Sequence, residues 1–156
     1  MDKENSFILV AEDDEDHYLL IREAFEQSGL PHEIFRVKDG EELMEYLRKE
    51  GAYADFPGAK MPGVILLDLN MPKKDGRQAL REIRANPETR KIPVIVLTMS
   101  RADTDIDLCY NLGANSYISK PLSFAQLIAF VKAFDDYWFQ TVVLPHEKAP
   151  EKHESR

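Results

Sequence analysis

Five short strand-like runs, each followed by a stretch whose apolar residues recur at helical spacing, constrain this chain more than any other feature. The runs are Phe7–Ala11, 34–37, Val64–Leu67, 93–98 and Ser116–Ser119. A brief apolar run bounded by turn formers is the pattern of a strand buried on both faces. After the first run, Leu20, Ile21, Ala24 and Phe25 mark a helix that Gly29 stops. Asp39-Gly40-Glu41-Glu42 has the form of a capping box and opens a second helix bearing Leu43 and Leu47. A Gly- and Pro-rich loop, 51–63, leads to the third strand. Leu80 and Ile83 mark the third helix, which ends before Asn86-Pro87. Ile106, Tyr110 and Leu112 give the fourth, stopped by Gly113. Ser123-Phe124-Ala125-Gln126 caps a fifth, with Leu127, Phe130, Val131 and Phe134 along it. Strict alternation of strand and helix predicts an α/β fold: a doubly wound, five-stranded parallel sheet with five helices on its two faces, in a single domain over 7–137.

Composition narrows the functional classes. The 156 residues carry a net charge of −8, which argues against a nucleic-acid surface and against an acidic membrane as partner. The single Cys109 cannot form an internal disulfide, and Phe7–Ala11 is too short for a signal h-region or a membrane span, so a cytoplasmic protein is expected. Beyond the last helix, 138–145 is an apolar arm (Trp138, Phe139, Val142, Val143, Leu144), and a polar 146–156 tail is expected to be disordered. An apolar arm must be covered, either by its own domain or by a second subunit.

In such a sheet, ligands bind in the crevice outside the carboxyl ends of the strands. The residues at those ends are Glu12-Asp13, Asp68, Thr98 and Lys120. Asp68 closes the run Val64–Leu67 and precedes the turn Leu69-Asn70-Met71-Pro72, a better place for chemistry than for packing. Two like charges about 4 Å apart repel by about 4 kcal/mol at an effective dielectric of 20, so three converging carboxylates need a cation, a proton or a lysine. A small all-oxygen site suits Mg²⁺. Simpler readings compete at each position. Asp14, Glu15 and Asp16 are best read as acids favouring a helix N-terminus. Thr98 and Tyr117 have ordinary strand roles available to them, and Asp75-Gly76 reads as turn-shaping. His17, His32, His146 and His153 show no paired ligand spacing and read as surface or local structure. No G-x-x-x-x-G-K-[ST] stretch occurs, which excludes a P-loop hydrolase.

Taken together, Glu12-Asp13, Asp68-Leu69-Asn70-Met71-Pro72 with Asp75-Gly76, Thr98, and Tyr117-Ile118-Ser119-Lys120-Pro121 resemble a response-regulator receiver domain of two-component signalling, a flavodoxin-like (CheY-like) fold. The loop after helix two, Ala114-Asn115-Ser116-Tyr117, and the stretch from Tyr137-Trp138-Phe139 on to Leu144-Pro145 are similar to stand-alone receivers that partner bacterial and cyanobacterial phytochromes. The resemblance implies a signalling domain rather than an enzyme. Asp68 would accept a phosphoryl group from a histidine kinase or a phosphotransfer protein. Asp13, Asp68 and the Asn70 backbone carbonyl would hold Mg²⁺, with Glu12 acting through water. Lys120 would pair with a phosphoryl oxygen, and Thr98 and Tyr117 would form the switch, Tyr117 turning as the Thr98 hydroxyl moves. A cis Lys120–Pro121 bond is expected, and so is a homodimer through helix four, strand five, helix five (with Phe124 and Ile128) and the arm. Met99, where receivers usually carry a small residue, is expected to slow exchange with small donors and water. The competing functions are a phosphorylation-independent adaptor and a haloacid-dehalogenase-type phosphatase. The latter wants an Asp where Asn70 stands.

Overall fold

A computed structural model describes residues 7–55 and 60–145. Five strands, β1 (Phe7–Ala11), β2 (Glu33–Val37), β3 (Val64–Leu67), β4 (Val94–Thr98) and β5 (Ser116–Ser119), alternate with α1 (Glu15–Gln27), α2 (Gly40–Arg48), α3 (Gly76–Ala85), α4 (Asp103–Leu112) and α5 (Phe124–Trp138). All four strand pairs are parallel, in the order β2-β1-β3-β4-β5. The expected doubly wound sheet is therefore present.

Alternation along the strands divides the core in two. Phe7, Leu9 and Ala11 of β1 join Ile65, Leu67, Val94 and Val96 in a cluster closed by α2 and α3 (Leu43, Leu47, Leu80, Ile83) and by Cys109 of α4. Ile8 and Val10 join Val64, Leu66, Ile95 and Leu97 under α1 and α5, through Ile21, Phe25, Leu127, Val131 and Phe134. Burying one such side chain contributes about 1.5–3 kcal/mol, so a strand sealed on both faces is strongly held in register.

The helix starts follow capping chemistry. Asp14, Asp39, Asp75 and Ser123 each accept a hydrogen bond from a backbone N–H in the first turn of α1, α2, α3 and α5. The reciprocal half of each predicted capping box reaches one residue further back than expected. Glu42 Oε1 accepts from Lys38 N and Gln126 Oε1 from Leu122 N. Gly113, at φ 105°, ends α4 in the left-handed conformation that glycine adopts without penalty.

Two expectations are corrected. Within the 51–63 loop, Gly51–Tyr53 forms a 3-10 turn that buries Tyr53 beside Tyr46, their ring centroids 5.0 Å apart. There is no cis peptide bond among the described residues, so Lys120–Pro121 is trans, the isomer an X–Pro amide favours by about 0.5–1 kcal/mol. Beyond Asp136, α5 runs on to include Trp138, and Trp138, Phe139 and Leu144 pack against the α1–α5 core. Val143 stays 88% exposed. The expected disorder of 146–156 lies outside the described residues.

Candidate functional site

The β2-β1-β3 order reverses the winding between β1 and β3, which opens a crevice at their carboxyl ends. Glu12, Asp13, Asp68, Thr98 and Lys120 meet there, whereas Tyr117 lies within β5. Glu12 and Asp13 leave β1, and Asp68 leaves β3 in register beside them, its N–H donating to the Ala11 carbonyl at 3.1 Å. Thr98 ends β4, and Lys120 leaves β5 with its N–H on the Thr98 carbonyl at 2.8 Å. Carboxylate oxygens of Glu12, Asp13 and Asp68 all lie within 4.8 Å of one another. Glu12 and Asp68 are buried while Asp13 is exposed, so the cluster is walled on one side and open to solvent on the other.

Each carboxylate has named partners. Asp68 Oδ1 accepts from the Thr98 hydroxyl at 2.7 Å and, more weakly, from Asn70 N at 3.4 Å. Its Oδ2 faces Lys120 Nζ at 3.4 Å. Lys120 sits closer to Glu12 Oε1, at 2.6 Å. Burial raises the Glu12 carboxyl above the usual carboxylate range; the Lys120 hydrogen bond opposes this, and the nearby Asp68 charge reinforces it. An all-oxygen cluster of three carboxylates, with Lys120 alone among the described lysines paired to it, has the donor set a hard divalent cation requires.

Residues beyond the predicted set shape the crevice. Arg36 of β2 donates from Nε to the Glu12 carbonyl at 2.8 Å and from Nη2 to the Asp13 carbonyl at 2.9 Å. It thereby fixes the backbone of the acidic pair while leaving both carboxylates free of it. His17 keeps 38% of its side chain exposed, as a surface reading expects, but its Nδ1 also lies 2.8 Å from Lys120 Nζ. His32 is corrected from a surface or local reading: its side chain is 1% exposed, with Nε2 2.6 Å from Asp135 Oδ1. Met99, the residue after Thr98, is 56% exposed.

The expected switch residues are joined through the loop after β4. The Tyr117 hydroxyl donates to the Ser100 carbonyl at 3.0 Å, and the Ser100 hydroxyl donates to Asp105 Oδ2 at 2.6 Å. Asp105 Oδ1 accepts from Arg77 Nε and Nη2 at 3.0 and 2.8 Å, and Arg77 also reaches Asp75. One network therefore ties the turn after Asp68 to α4 and to Tyr117. The Thr98 hydroxyl is already engaged with Asp68 in this conformation.

Compared with known proteins, residues 8–132 match the family described as response regulator receiver domain. Response regulator Rcp1 of Synechocystis is 39% identical over 138 residues, spanning 88% of this chain and 92% of that protein. A probable methanogenesis regulatory protein, FilR2 of Methanothrix harundinacea, is 40% identical over 140 residues, 88% of this chain and 87% of its own length. Among solved structures, the phosphorylated cyanobacterial phytochrome response regulator RcpA superposes with a TM-score of 0.82 at 44% identity, covering 90% of this chain and 98% of that one. The Mn²⁺-bound form of Rcp1 gives 0.80 at 38%, covering 90% and 99%.

Proposed function

This chain belongs to the response-regulator receiver family, and we propose that it is a single-domain switch that takes a phosphoryl group from a histidine kinase, or from a phosphotransfer protein, onto Asp68. The observation that carries this reading is the convergence of Glu12, Asp13, Asp68, Thr98 and Lys120 from four strand ends into one half-open crevice. In the transfer, the P–N bond of the donor phosphohistidine breaks as a bond forms between phosphorus and an Asp68 oxygen. Phosphoryl transfer asks mostly for positioning and charge stabilisation. Thr98 orients the Asp68 carboxylate, and Lys120 supplies a positive charge for the oxygens that arrive. Asp13, Asp68 and the Asn70 carbonyl would hold Mg²⁺, with Glu12 acting through water. The ion would offset negative charge on the transferring oxygens. Loss of the present Thr98 bond, as its hydroxyl turns to a phosphoryl oxygen, would pass through Ser100 to Tyr117 and on to the α4–β5–α5 face.

Similarity to RcpA and Rcp1 over nearly the whole chain supports a phytochrome as the donor kinase. FilR2, at 40%, stands within a few per cent of both, so a phosphotransfer assay with a phytochrome kinase is the deciding measurement. The same face would form a homodimer. Tyr110 (49%) and Leu122 (78%) are exposed there, Phe124 and Ile128 are half-buried beside them, and Val143 of the arm is bare. Light scattering is expected to give twice the chain mass. No helix among the described residues is long and apolar enough to cross a membrane, and Cys109 is free and buried, which supports a cytoplasmic setting.

The first test is intact mass after incubation with acetyl phosphate and Mg²⁺. The wild-type chain is expected to gain one phosphoryl group and Asp68→Asn none. A wild type that gains none from either acetyl phosphate or a phosphorylated kinase refutes the switch.

A further inference from the structure

The Lys120 ammonium has three N–H donors, and three acceptors surround it: Glu12 Oε1 at 2.6 Å, His17 Nδ1 at 2.8 Å and Asp68 Oδ2 at 3.4 Å. An ammonium can only donate, so His17 Nδ1 accepts and the imidazole carries its proton on Nε2. The two short contacts, not the long one to Asp68, fix where the ammonium sits. They come from either side of the Asp14 cap of α1: Glu12 directly follows β1, and His17 is the third residue of the helix. Side chains in a helix lean towards its N-terminus, which aims His17 back at the strand ends. Glu12 is otherwise engaged: its Oε2 accepts from Asp14 N at 3.1 Å. The imidazole Nδ1 is 3.9 Å from Glu12 Oε2 and its Nε2 is 3.8 Å from Asp14 Oδ2, both beyond hydrogen-bond reach, so the lone pair on Nδ1 is committed to Lys120.

Resting on the receiver reading above, we propose that His17 is a positioning residue for phosphoryl transfer, holding Lys120 at the edge of Asp68 as its one uncharged anchor. A second anchor matters because Glu12 alone fixes a distance but not a direction for a four-carbon flexible stem. With His17 gone, Nζ swings about Glu12 and spends less time beside Asp68. Preorganised charge is then lost where the phosphoryl oxygens arrive. The imidazole accomplishes this without adding a fourth negative charge to a site that already holds three carboxylates.

The test is the rate of phosphoryl gain from acetyl phosphate with MgCl₂, followed by intact mass. His17→Leu is expected to slow the reaction about tenfold, the loss of one hydrogen bond to a charged group. His17→Asn is expected to recover most of the rate, because its Oδ1 stands as many bonds from Cα as the imidazole Nδ1. In a Lys120→Ala background, His17→Leu is expected to cost nothing further, an outcome that general damage to α1 would not produce. Equal rates for wild type and His17→Leu, an Asn variant as slow as Leu, or a full further loss in the Lys120→Ala background each overturn the proposal. A wild type that takes up no phosphoryl group would instead refute the switch on which it rests.

Discussion

Gly76 joins the fold to the chemistry through a contact that leaves no space for a side chain. It is the first residue of α3, directly after the Asp75 cap, and its N–H donates to the Leu69 carbonyl at 2.8 Å. A Cβ at this position would stand 2.3 Å from the Asp68 carbonyl oxygen, 2.8 Å from Leu69 Cα and 3.1 Å from the Asp68 carbonyl carbon. All three obstacles are backbone, and ordinary van der Waals contact begins near 3.4 Å. Gly76→Ala therefore forces the main chain at Asp68 and the start of α3 apart by about 1 Å. Alanine gains about 1 kcal/mol over glycine in a helix interior, whereas overpacking a rigid site costs about 1–3 kcal/mol and more where backbone must move. We expect a net loss of roughly 2–4 kcal/mol, read as a lower urea midpoint at unchanged m-value. Because the displaced carbonyl belongs to Asp68 itself, phosphorylation by acetyl phosphate should also slow, by about tenfold or more for a shift of this size. Gly29→Ala is the control. Its φ of 70° disfavours any side chain but nothing lies within 4 Å, so it should cost only about 1–2 kcal/mol and leave phosphorylation intact. A Gly76→Ala protein with wild-type midpoint and wild-type rate would refute the close-approach argument.

Two further outcomes follow from groups outside the crevice. Arg84 spends its guanidinium on four oxygens, none of them a carboxylate: the carbonyls of Gly113, Arg90 and Ile92 and the side chain of Asn115, at 2.8–3.0 Å. Arg84→Met is expected to lower unfolding free energy by about 2–4 kcal/mol, and Arg84→Lys to recover less than half of that because an ammonium cannot fork to four sites. Urea titration of the two variants checks both. Asp105 is held below the usual carboxylate range by the Ser100 hydroxyl and then by Arg77. A carboxyl depressed in the folded state contributes stability above its unfolded pKa of about 3.9, and that contribution is lost as pH falls through the folded value. Asp105→Asn should therefore flatten the acid limb of the stability profile below about pH 4; identical limbs for the two proteins would show that the Asp105 network is not linked to folding.

The strand ends were legible because hydrophobic runs have abrupt limits. β1, β3 and β5 begin and end where the sequence pattern does, and the parallel topology then carries Glu12, Asp68, Thr98 and Lys120 to one edge without further information. Hydrophobic alternation says nothing of what those charges touch. His17 meets Lys120 and His32 meets Asp135, each across 103 residues, and Arg36 reaches back 24 residues to the Glu12 carbonyl. Local spacing cannot encode such pairs: each imidazole meets a partner of a different kind, so no paired-histidine spacing marks it in the sequence. One signal for His17 was nevertheless present. A residue three places into a helix leans back towards the N-terminus, and this helix starts where an acidic strand end already requires a cation. For His32 no equivalent signal exists. It lies between Pro31 and the start of β2, outside any periodic stretch, and its burial follows from Phe25 and Phe139 closing on its ring, at centroid distances of 6.0 and 4.3 Å. Phe139 belongs to the segment after α5, so the packing of that residue on its own domain depends in part on a histidine more than a hundred residues earlier. The charged groups of the site thus follow from where strands stop, whereas the imidazole beside Lys120 and the Arg36 guanidinium on the Glu12 and Asp13 carbonyls follow only from how the strands are ordered.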